Sequence, residues 1–295
     1  MPEPRLPDSF EWMAGPGGRV LRCRPLADVA PHLFTTRELP LSGDHGNGAD
    51  GWRDIARALG LAASGLVRLA QVHGARVVAV PDEAHESRAD GTWADADGAV
   101  TADPALALVV KVADCVPVLI GDARTGAVAA VHAGWRGLAA GVVQAAVRSL
   151  ASRFQSSPAD LVAALGPSIG PCCYQVGTDV ADRLLDGGAA PADVAEWFAV
   201  SPGHAQAAGL GLGAIARADG RAEVRGKLWL DTWRASADQL AAAGIARARI
   251  HAAGLCTACY PGLLHSYRID GPRAGRMAGV IRPAARSWCP ESETR

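Results

Sequence analysis

Two short apolar runs, residues 116–120 and 127–131, are separated by the glycine- and aspartate-containing connection 121–126. Apolar runs bounded by turn residues are typical of β-strands joined as a hairpin. Cys115 stands directly before the first run, and His132 stands directly after the second. Because the two strands of a hairpin run in opposite directions, the pattern predicts that Cys115 and His132 lie at the same end of a sheet.

The same hydrophobic pattern predicts further strands along the chain, at residues 19–25, 31–37, 66–70, 75–80, 105–112, 161–165 and 250–253, with a last strand ending near Ile281. Helical spacing predicts helices at 52–59, 138–154 and 230–243, the last with Asp231 as its N-cap. Residues 41–51 and 81–95 are expected to form loops, and 176–226 to be helix and Gly/Ala-rich loop. No repeat or linker divides the chain, so we expect one domain over residues 1–295, with a core at about 19–282.

Composition excludes several classes of protein. The 295 residues are 49% hydrophobic with a formal charge of −1, which is typical of a globular protein and not of one that binds nucleic acid. The most apolar window, residues 105–120, contains Lys111 and Asp114 and is not expected to span a membrane. The N-terminus lacks the pattern of a signal peptide, and the seven cysteines are an odd number, so a cytoplasmic location is expected. We expect a monomer or small homo-oligomer.

A third soft donor is available to join Cys115 and His132. His73 ends another apolar run and is followed by a glycine. Three protein ligands with one open position are typical of a catalytic zinc ion. The spacings of 42 and 17 residues match no zinc-finger pattern, and each residue taken singly is more often a buried thiol or a hydrogen-bonded imidazole than a metal ligand.

Other residue types suggest anion binding or a cysteine site. Arg37 at a strand end and Arg136 near a helix start each offer a planar guanidinium to phosphate or carboxylate, although both are also compatible with an ordinary surface position. Trp135 fits either the core or a substrate-facing loop. Cys256 and Cys259 form a CxxC pair, but no second such pair exists, so a four-cysteine site would need thiols from elsewhere.

Five motifs occur in order: QVHG at 71–74, ADCVP at 113–117, HAGWRG at 132–137, GPSIGPCCY at 166–174 and CTAC at 256–259. In these motifs the chain resembles the YfiH/laccase-domain family, whose members carry names such as polyphenol oxidase, purine nucleoside phosphorylase and peptidoglycan editing factor. The resemblance covers nearly the whole chain. It implies an α+β fold in which mixed β-sheets pack as a sandwich with outer helices.

The resemblance also implies an activity. The expected protein is a zinc enzyme that cleaves adenosine or inosine with phosphate, with deamination of adenosine as the alternative reaction at the same metal, and with His73, Cys115 and His132 as the zinc ligands. Arg37 and Arg136 are expected to orient phosphate, and Asp114 to orient a ligand or accept a proton. The remaining expected substrate contacts are Trp135, Ser168 and Cys172, and the CxxC pair is expected to line the pocket.

Three alternatives remain open from the sequence. The first is an amidase that edits cell-wall precursors, and the second is a copper-dependent polyphenol oxidase, with copper as the alternative metal. The third is a non-enzymatic zinc-stabilised binding protein, which would require a fourth protein ligand. The chain departs from its relatives in the loop 41–51 and at Gln175, where they usually carry glutamate, so an acid/base role is not expected at that position.

Overall fold

The computed structural model describes residues 4–41, 47–83, 92, 94–199 and 227–284. The strands are β1 Phe10–Gly15, β2 Gly18–Cys23, β3 His32–Thr35, β4 Leu66–Arg68, β5 Val77–Ala79, β6 Gly98–Thr101, β7 Ala107–Val112, β8 Val116–Asp122, β9 Val128–Ala133, β10 Leu161–Leu165, β11 Gln175–Val176, β12 Phe198–Ala199, β13 Leu228–Leu230, β14 Ile250–Ala252 and β15 Met277–Ile281. The α-helices are α1 Arg24–Ala27, α2 Asn47–Ala58, α3 Trp135–Ala139, α4 Val142–Phe154, α5 Thr178–Asp186, α6 Pro191–Trp197, α7 Thr232–Ala242 and α8 Tyr267–Asp270.

Two mixed sheets make up the centre of the fold. Within the described ranges, sheet I has the strand order β1-β2-β3-β15-β7-β4, and sheet II has the order β14-β10-β8-β9-β6-β5. Most neighbouring strands are antiparallel, but β4 with β7, β10 with β14 and β5 with β6 are parallel. Strands β11, β13 and β12 form a third, smaller sheet in that order, which shares no strand with the other two within the described ranges.

The buried side chains show how the layers stack. Phe34 and Leu108 of sheet I share one apolar cluster with Leu119 and Ala130 of sheet II, so this cluster fills the space between the sheets. On the outer face of sheet II, Val118 clusters with residues of α4 to α7, which include Val143, Val180, Val194 and Leu240. On the outer face of sheet I, Val109 packs with Ile55 of α2. The result is the predicted α+β sandwich with outer helices.

The predicted hairpin at the centre of the sequence is confirmed as β8 and β9. Val118 pairs with Val131 and faces the helices, whereas Leu119 pairs with Ala130 and faces sheet I. Because side chains alternate along a strand, Cys115 and His132 project from the face of sheet II that packs on sheet I. Both lie at the end of the hairpin opposite its turn.

Several predicted boundaries were wrong. An additional strand, β1, precedes the expected first strand, and α2 begins at Asn47, within the predicted loop 41–51. The strand expected to end at Arg37 ends at Thr35, so Arg37 lies in the following turn. The predicted helix 138–154 is instead α3 and α4, separated at Gly141 with φ 76°, a conformation that favours glycine and interrupts a right-handed helix.

Other predictions were confirmed. The strand 161–165 coincides with β10, and Asp231 caps α7 by accepting a hydrogen bond from the Arg234 N–H. Part of the predicted loop 81–95 and the whole stretch 200–226, including His204, lie outside the described residues.

Gly166 directly follows β10 and packs against the ring of Phe34. A Cβ atom at this position would lie 2.8 Å from Pro117 Cγ and would also overlap the Phe34 ring. Neither neighbour has room to move, because Phe34 is 1% exposed and β8 is buried throughout. The space at Gly166 therefore restricts this position to the smallest residue.

We predict that Gly166→Ala lowers the free energy of unfolding by about 1–3 kcal/mol, the usual cost of overpacking a core. The measurement is urea denaturation followed by circular dichroism. Gly262→Ala is the matched control, since a Cβ there meets nothing within 4 Å and the change should stay within about 0.5 kcal/mol. Equal stability of the two variants would contradict the packing described here.

Candidate metal centre

Three donors from separate parts of the chain meet at one end of the β8–β9 hairpin. The donor atoms of His73, Cys115 and His132 lie within 4.8 Å of one another. The two imidazole rings meet edge to face at an interplanar angle of 80°, with their centroids 4.8 Å apart. His132 is buried, Cys115 is half-buried and His73 is exposed, so the group opens to solvent on the side of His73.

The carboxylate of Asp97 holds two of these donors in place. One oxygen, Oδ1, accepts hydrogen bonds from His132 Nδ1 at 2.8 Å and from the His73 backbone N–H at 2.9 Å. The other, Oδ2, accepts from the Gly74 N–H at 2.6 Å and the Val72 N–H at 3.2 Å. Because Nδ1 of His132 is engaged, its Nε2 is the nitrogen left to face Cys115.

Positive backbone dihedrals occur on either side of this group. His73 has φ 60°, and Asp114, next to Cys115, has φ 90°. Non-glycine residues adopt this conformation at a cost and keep it only where surrounding contacts impose it. At His73 those contacts are the hydrogen bonds that Asp97 accepts from the backbone of residues 72–74.

Burial and hydrogen bonding act in opposite directions on the ionisation of the three groups. Burial raises the pKa of Cys115, but hydrogen bonds from His132 and His73 outweigh it and lower the pKa to about 6. Burial lowers the pKa of His132, but its bonds to Asp97 and Cys115 raise it to about 9. Burial also raises the pKa of Asp97, which His132 and Gly74 nevertheless hold below its ordinary value. The arrangement therefore favours a thiolate at Cys115, the form in which cysteine binds metals.

Gly134 allows the backbone to pass close to the donors. A Cβ atom there would lie 2.9 Å from Cys115 Sγ and 3.3 Å from the His73 ring. The glycine is thus required by the close approach of the backbone to the donors. It also precedes α3, which carries Trp135 and Arg136 past the site.

Asp114 joins two loops and the helix α8 beside Cys115. Its carboxylate accepts hydrogen bonds from Thr257 Oγ1 and from the Arg268 N–H, each at 2.6 Å, and its carbonyl accepts from the Ile169 N–H at 2.9 Å. Asp97 is the carboxylate that bonds to a candidate metal ligand, His132. Asp114 instead holds the neighbouring segments in place. Proton transfer by Asp114 stays a prediction.

Charged and aromatic side chains border the site. The Arg136 guanidinium lies 4.4 Å from the centre of the Trp135 ring, and that of Arg268 lies 5.1 Å from the Tyr174 ring. Burial and the negative charge of Cys115 raise the pKa of Tyr174, while the charges of Arg268 and Arg136 counteract this only in part. These interactions place Tyr174 among Cys115, Asp114 and the two arginines.

The other predicted site residues lie in different surroundings. Burial lowers the pKa of His265, and the charge of the nearby Arg37 lowers it further. Among the described contacts, none joins Arg37 to the three donors. Ser168 is fully buried, and within the described structure its hydroxyl has no hydrogen-bond partner. Substrate contacts by Arg37, Trp135, Arg136, Ser168 and Cys172 all stay predictions.

A second group of potential metal ligands is formed by cysteines. The Sγ atoms of Cys172, Cys173, Cys256 and Cys259 lie within 4.8 Å of one another. The additional thiols that the CxxC pair would need for a four-cysteine site therefore come from the adjacent cysteines of the GPSIGPCCY motif. In the sequence these two motifs are more than 80 residues apart, and nothing in their spacing indicates the contact.

Sequence reasoning also missed three residues near the first site. No predicted element or motif includes Asp97 or Arg268, and Tyr174 appears only as the last residue of the GPSIGPCCY motif. An aspartate directly before a short apolar run was the available signal for Asp97, because a buried carboxylate requires partners. Tyr174 and Arg268 carried no comparable signal.

Comparison with known proteins places this arrangement in a family. Residues 41–284 match the family described as multi-copper polyphenol oxidoreductase laccase. The chain belongs to this laccase family. Both the His73–Cys115–His132 group and the four-cysteine group fall within the matched residues.

Relatives in the laccase family are similar along most of their length. A Deinococcus radiodurans protein named purine nucleoside phosphorylase is 32% identical over 282 residues, which cover 91% of this chain and 94% of that protein. A Geobacillus stearothermophilus protein named purine nucleoside phosphorylase YlmD is 32% identical over 214 residues, covering 72% of this chain and 69% of the relative.

Solved structures of the same family share the fold. The hypothetical protein YfiH of Bacillus licheniformis matches with a TM-score of 0.77 and 26% identity, over 94% of this chain and all of that chain. The crystal structure of YlmD from Geobacillus stearothermophilus matches with a TM-score of 0.75 and 29% identity, over 95% of this chain. Among the helices described here, none has the length and apolar composition needed to cross a membrane.

We predict that Asp97→Asn weakens zinc binding at the His73–Cys115–His132 group by about 10- to 100-fold, because the amide cannot accept all the hydrogen bonds that orient His73 and His132. Zinc affinity is measured by competition with a chelating dye. A Cys115→Ala variant defines the signal that remains when this group is removed.

The matched control is Asp122→Asn at the opposite end of β8. Asp122 is also buried and accepts hydrogen bonds from Thr125 Oγ1 at 2.6 Å and the Arg124 N–H at 2.7 Å. Both substitutions should cost about 1–3 kcal/mol of stability, whereas only Asp97→Asn should change zinc affinity. Wild-type zinc affinity in Asp97→Asn would refute the orienting role of this carboxylate.

Proposed function

We propose that this chain is a zinc-dependent purine nucleoside phosphorylase acting on adenosine and inosine. The observation that carries the proposal is the three-donor group open at His73, in a chain similar over nearly its whole length to a protein named purine nucleoside phosphorylase. Three donors with an open side suit a catalytic ion, whereas a purely structural ion is normally enclosed by four.

The donors at this group fit zinc. Two imidazoles and one thiolate are ligands that zinc prefers, and the hydrogen bonds to Cys115 favour its ionised form. His73, Cys115 and His132 would hold the ion. When bound there, zinc supplies Lewis-acid polarisation of an oxygen atom at the open position.

Two histidines and one cysteine also suit a blue-copper site, which adds a weak methionine ligand. In the described residues Met277 instead accepts a hydrogen bond through its sulfur from the His265 N–H at 3.5 Å. Oxidation of phenols by several coppers requires further clusters of histidine. Among the described residues the second donor group consists only of cysteines, which favours zinc chemistry over copper redox chemistry.

In phosphorolysis a phosphate oxygen forms a bond to C1′ of the ribose while the bond from C1′ to the purine nitrogen breaks. The bonding electrons pass to the base, which takes up a proton, and the products are free purine and ribose 1-phosphate. Arg136 would pair with phosphate, since its exposed guanidinium is held over Trp135. Asp114 is the candidate for proton transfer, and Arg37 is a further candidate for phosphate binding.

The purified protein should release free base from adenosine and inosine only when phosphate is present, as followed by chromatography. Cys115→Ala should lose at least 100-fold in kcat/KM, because it removes a ligand, and should contain one zinc fewer per chain than wild type. The control is Cys23→Ala, a buried thiol of sheet I that should leave both the activity and the metal content unchanged.

The remaining outcomes separate the alternatives. Conversion of adenosine to inosine without phosphate would reveal deamination at the same site. Zinc binding without turnover of any nucleoside would reject the proposed function and favour a cell-wall precursor as substrate. Stoichiometric copper with oxidation of phenols would overturn both the metal and the reaction.

A further inference from the structure

We infer that Cys172, Cys173, Cys256 and Cys259 form a second, closed metal site that binds a structural zinc ion. This inference is independent of the nucleoside reaction. It concerns a different set of donors, and it replaces the predicted substrate contact of Cys172 and the pocket-lining role of the CxxC pair with a joint role as metal ligands.

The separations between the sulfur atoms fit tetrahedral coordination. All four Sγ atoms lie within 4.8 Å of one another, and Cys259 Sγ lies 3.5 Å from both Cys172 Sγ and Cys173 Sγ. Four sulfurs at about 2.3 Å from a central zinc would be about 3.8 Å apart, so only small shifts are needed. All four cysteines are free thiols in the structure.

The backbone around the cluster supports ligation. Cys173 and Cys259 each lie at the end of a tight turn, with the Cys173 N–H bonded to the Gly170 carbonyl and the Cys259 N–H bonded to the Cys256 carbonyl. The Gly170 N–H also donates to Cys256 Sγ at 3.3 Å. Backbone N–H donors to sulfur stabilise thiolates, the form that binds metal.

Two loops are already aligned to bring the thiols together. Ser168 pairs with Cys256 in a parallel bridge, through the bonds from the Ser168 N–H to the Leu255 carbonyl and from the Thr257 N–H to the Ser168 carbonyl. Cys256 itself is only 4% exposed, and the other three cysteines are half-buried. The cluster therefore closes the junction between loops 166–174 and 253–260.

The number and type of donors indicate a structural role. Four cysteines saturate a tetrahedral ion and leave no position for substrate, in contrast to the His73–Cys115–His132 group. Both loops also bind Asp114, through the Ile169 N–H and the Thr257 hydroxyl. A zinc ion at the thiol cluster would hold the turn of Asp114, and hence Cys115, in position.

The test is the metal content of untagged protein purified under reducing conditions without added chelator. We expect about two zinc ions per chain in wild type, about one in Cys259→Ser, about one in Cys115→Ala and none in the double variant. Cys23→Ala should keep two. The melting temperature of Cys259→Ser should fall more than that of Cys115→Ala, because the closed site joins two loops.

Cobalt replacement supplies a readout that does not depend on the stability of Cys259→Ser. In Cys115→Ala, bound cobalt should give the intense sulfur-to-metal absorption and tetrahedral spectrum of a four-thiolate site. A Cys115→Ala protein that binds neither zinc nor cobalt would overturn the inference. Disulfides among the four cysteines, found by mass spectrometry of unreduced protein, would also overturn it. Both results are independent of whether nucleosides are cleaved.

Discussion

The candidate metal centre depends on the hydrogen bonds that the buried carboxylate of Asp97 accepts. Removing a carboxylate from water is costly unless it is fully hydrogen-bonded, and Asp97 is 0% exposed. Its partners are one imidazole and three consecutive backbone N–H groups of residues 72–74. The same bonds that compensate the burial of Asp97 also fix the direction of His132 and impose the positive φ of His73. The hydrogen bonds that stabilise one buried charge therefore determine the positions of two donors.

The sandwich supplies the rest of this geometry. His132 is the penultimate residue of β9 and Cys115 directly precedes β8, so the register of one hairpin brings them together, and Asp97 directly precedes the adjoining strand β6. Of the three donors, His73 is the one that lies in a turn between strands, and the backbone of that turn donates hydrogen bonds to Asp97. Cys115 and His132, which the hairpin places, are therefore combined with His73, whose backbone the Asp97 carboxylate holds. The open side of the site lies at His73.

The hydrophobic pattern was sufficient to predict the hairpin and most of the central strands, because the placement of apolar runs is a local property of the sequence. The sandwich itself was implied by the family resemblance. The pattern was insufficient where glycine or long-range contacts decide. The helix predicted over 138–154 breaks at Gly141, and a single glycine inside a helical pattern does not reveal its own dihedral angle. The hydrogen bonds of Asp97 and the approach of Cys172 to Cys259 join distant segments of the chain. Neither periodicity nor spacing encodes such contacts. The family motifs identified the three donors but not the carboxylate that orients them.

The two donor groups differ in charge in a way that fits their proposed roles. A zinc ion with one thiolate and two neutral imidazoles would carry about +1, and the adjacent Asp97 carboxylate would reduce this to about zero. The positive charge available to a phosphate would then come mainly from Arg136, which is exposed beside the site. Four thiolates around zinc would instead carry about −2, a charge that attracts no anion and needs N–H donors such as that of Gly170. An anionic substrate would therefore be directed to the open group, while the closed group would act on the reaction only through the loops that position Asp114.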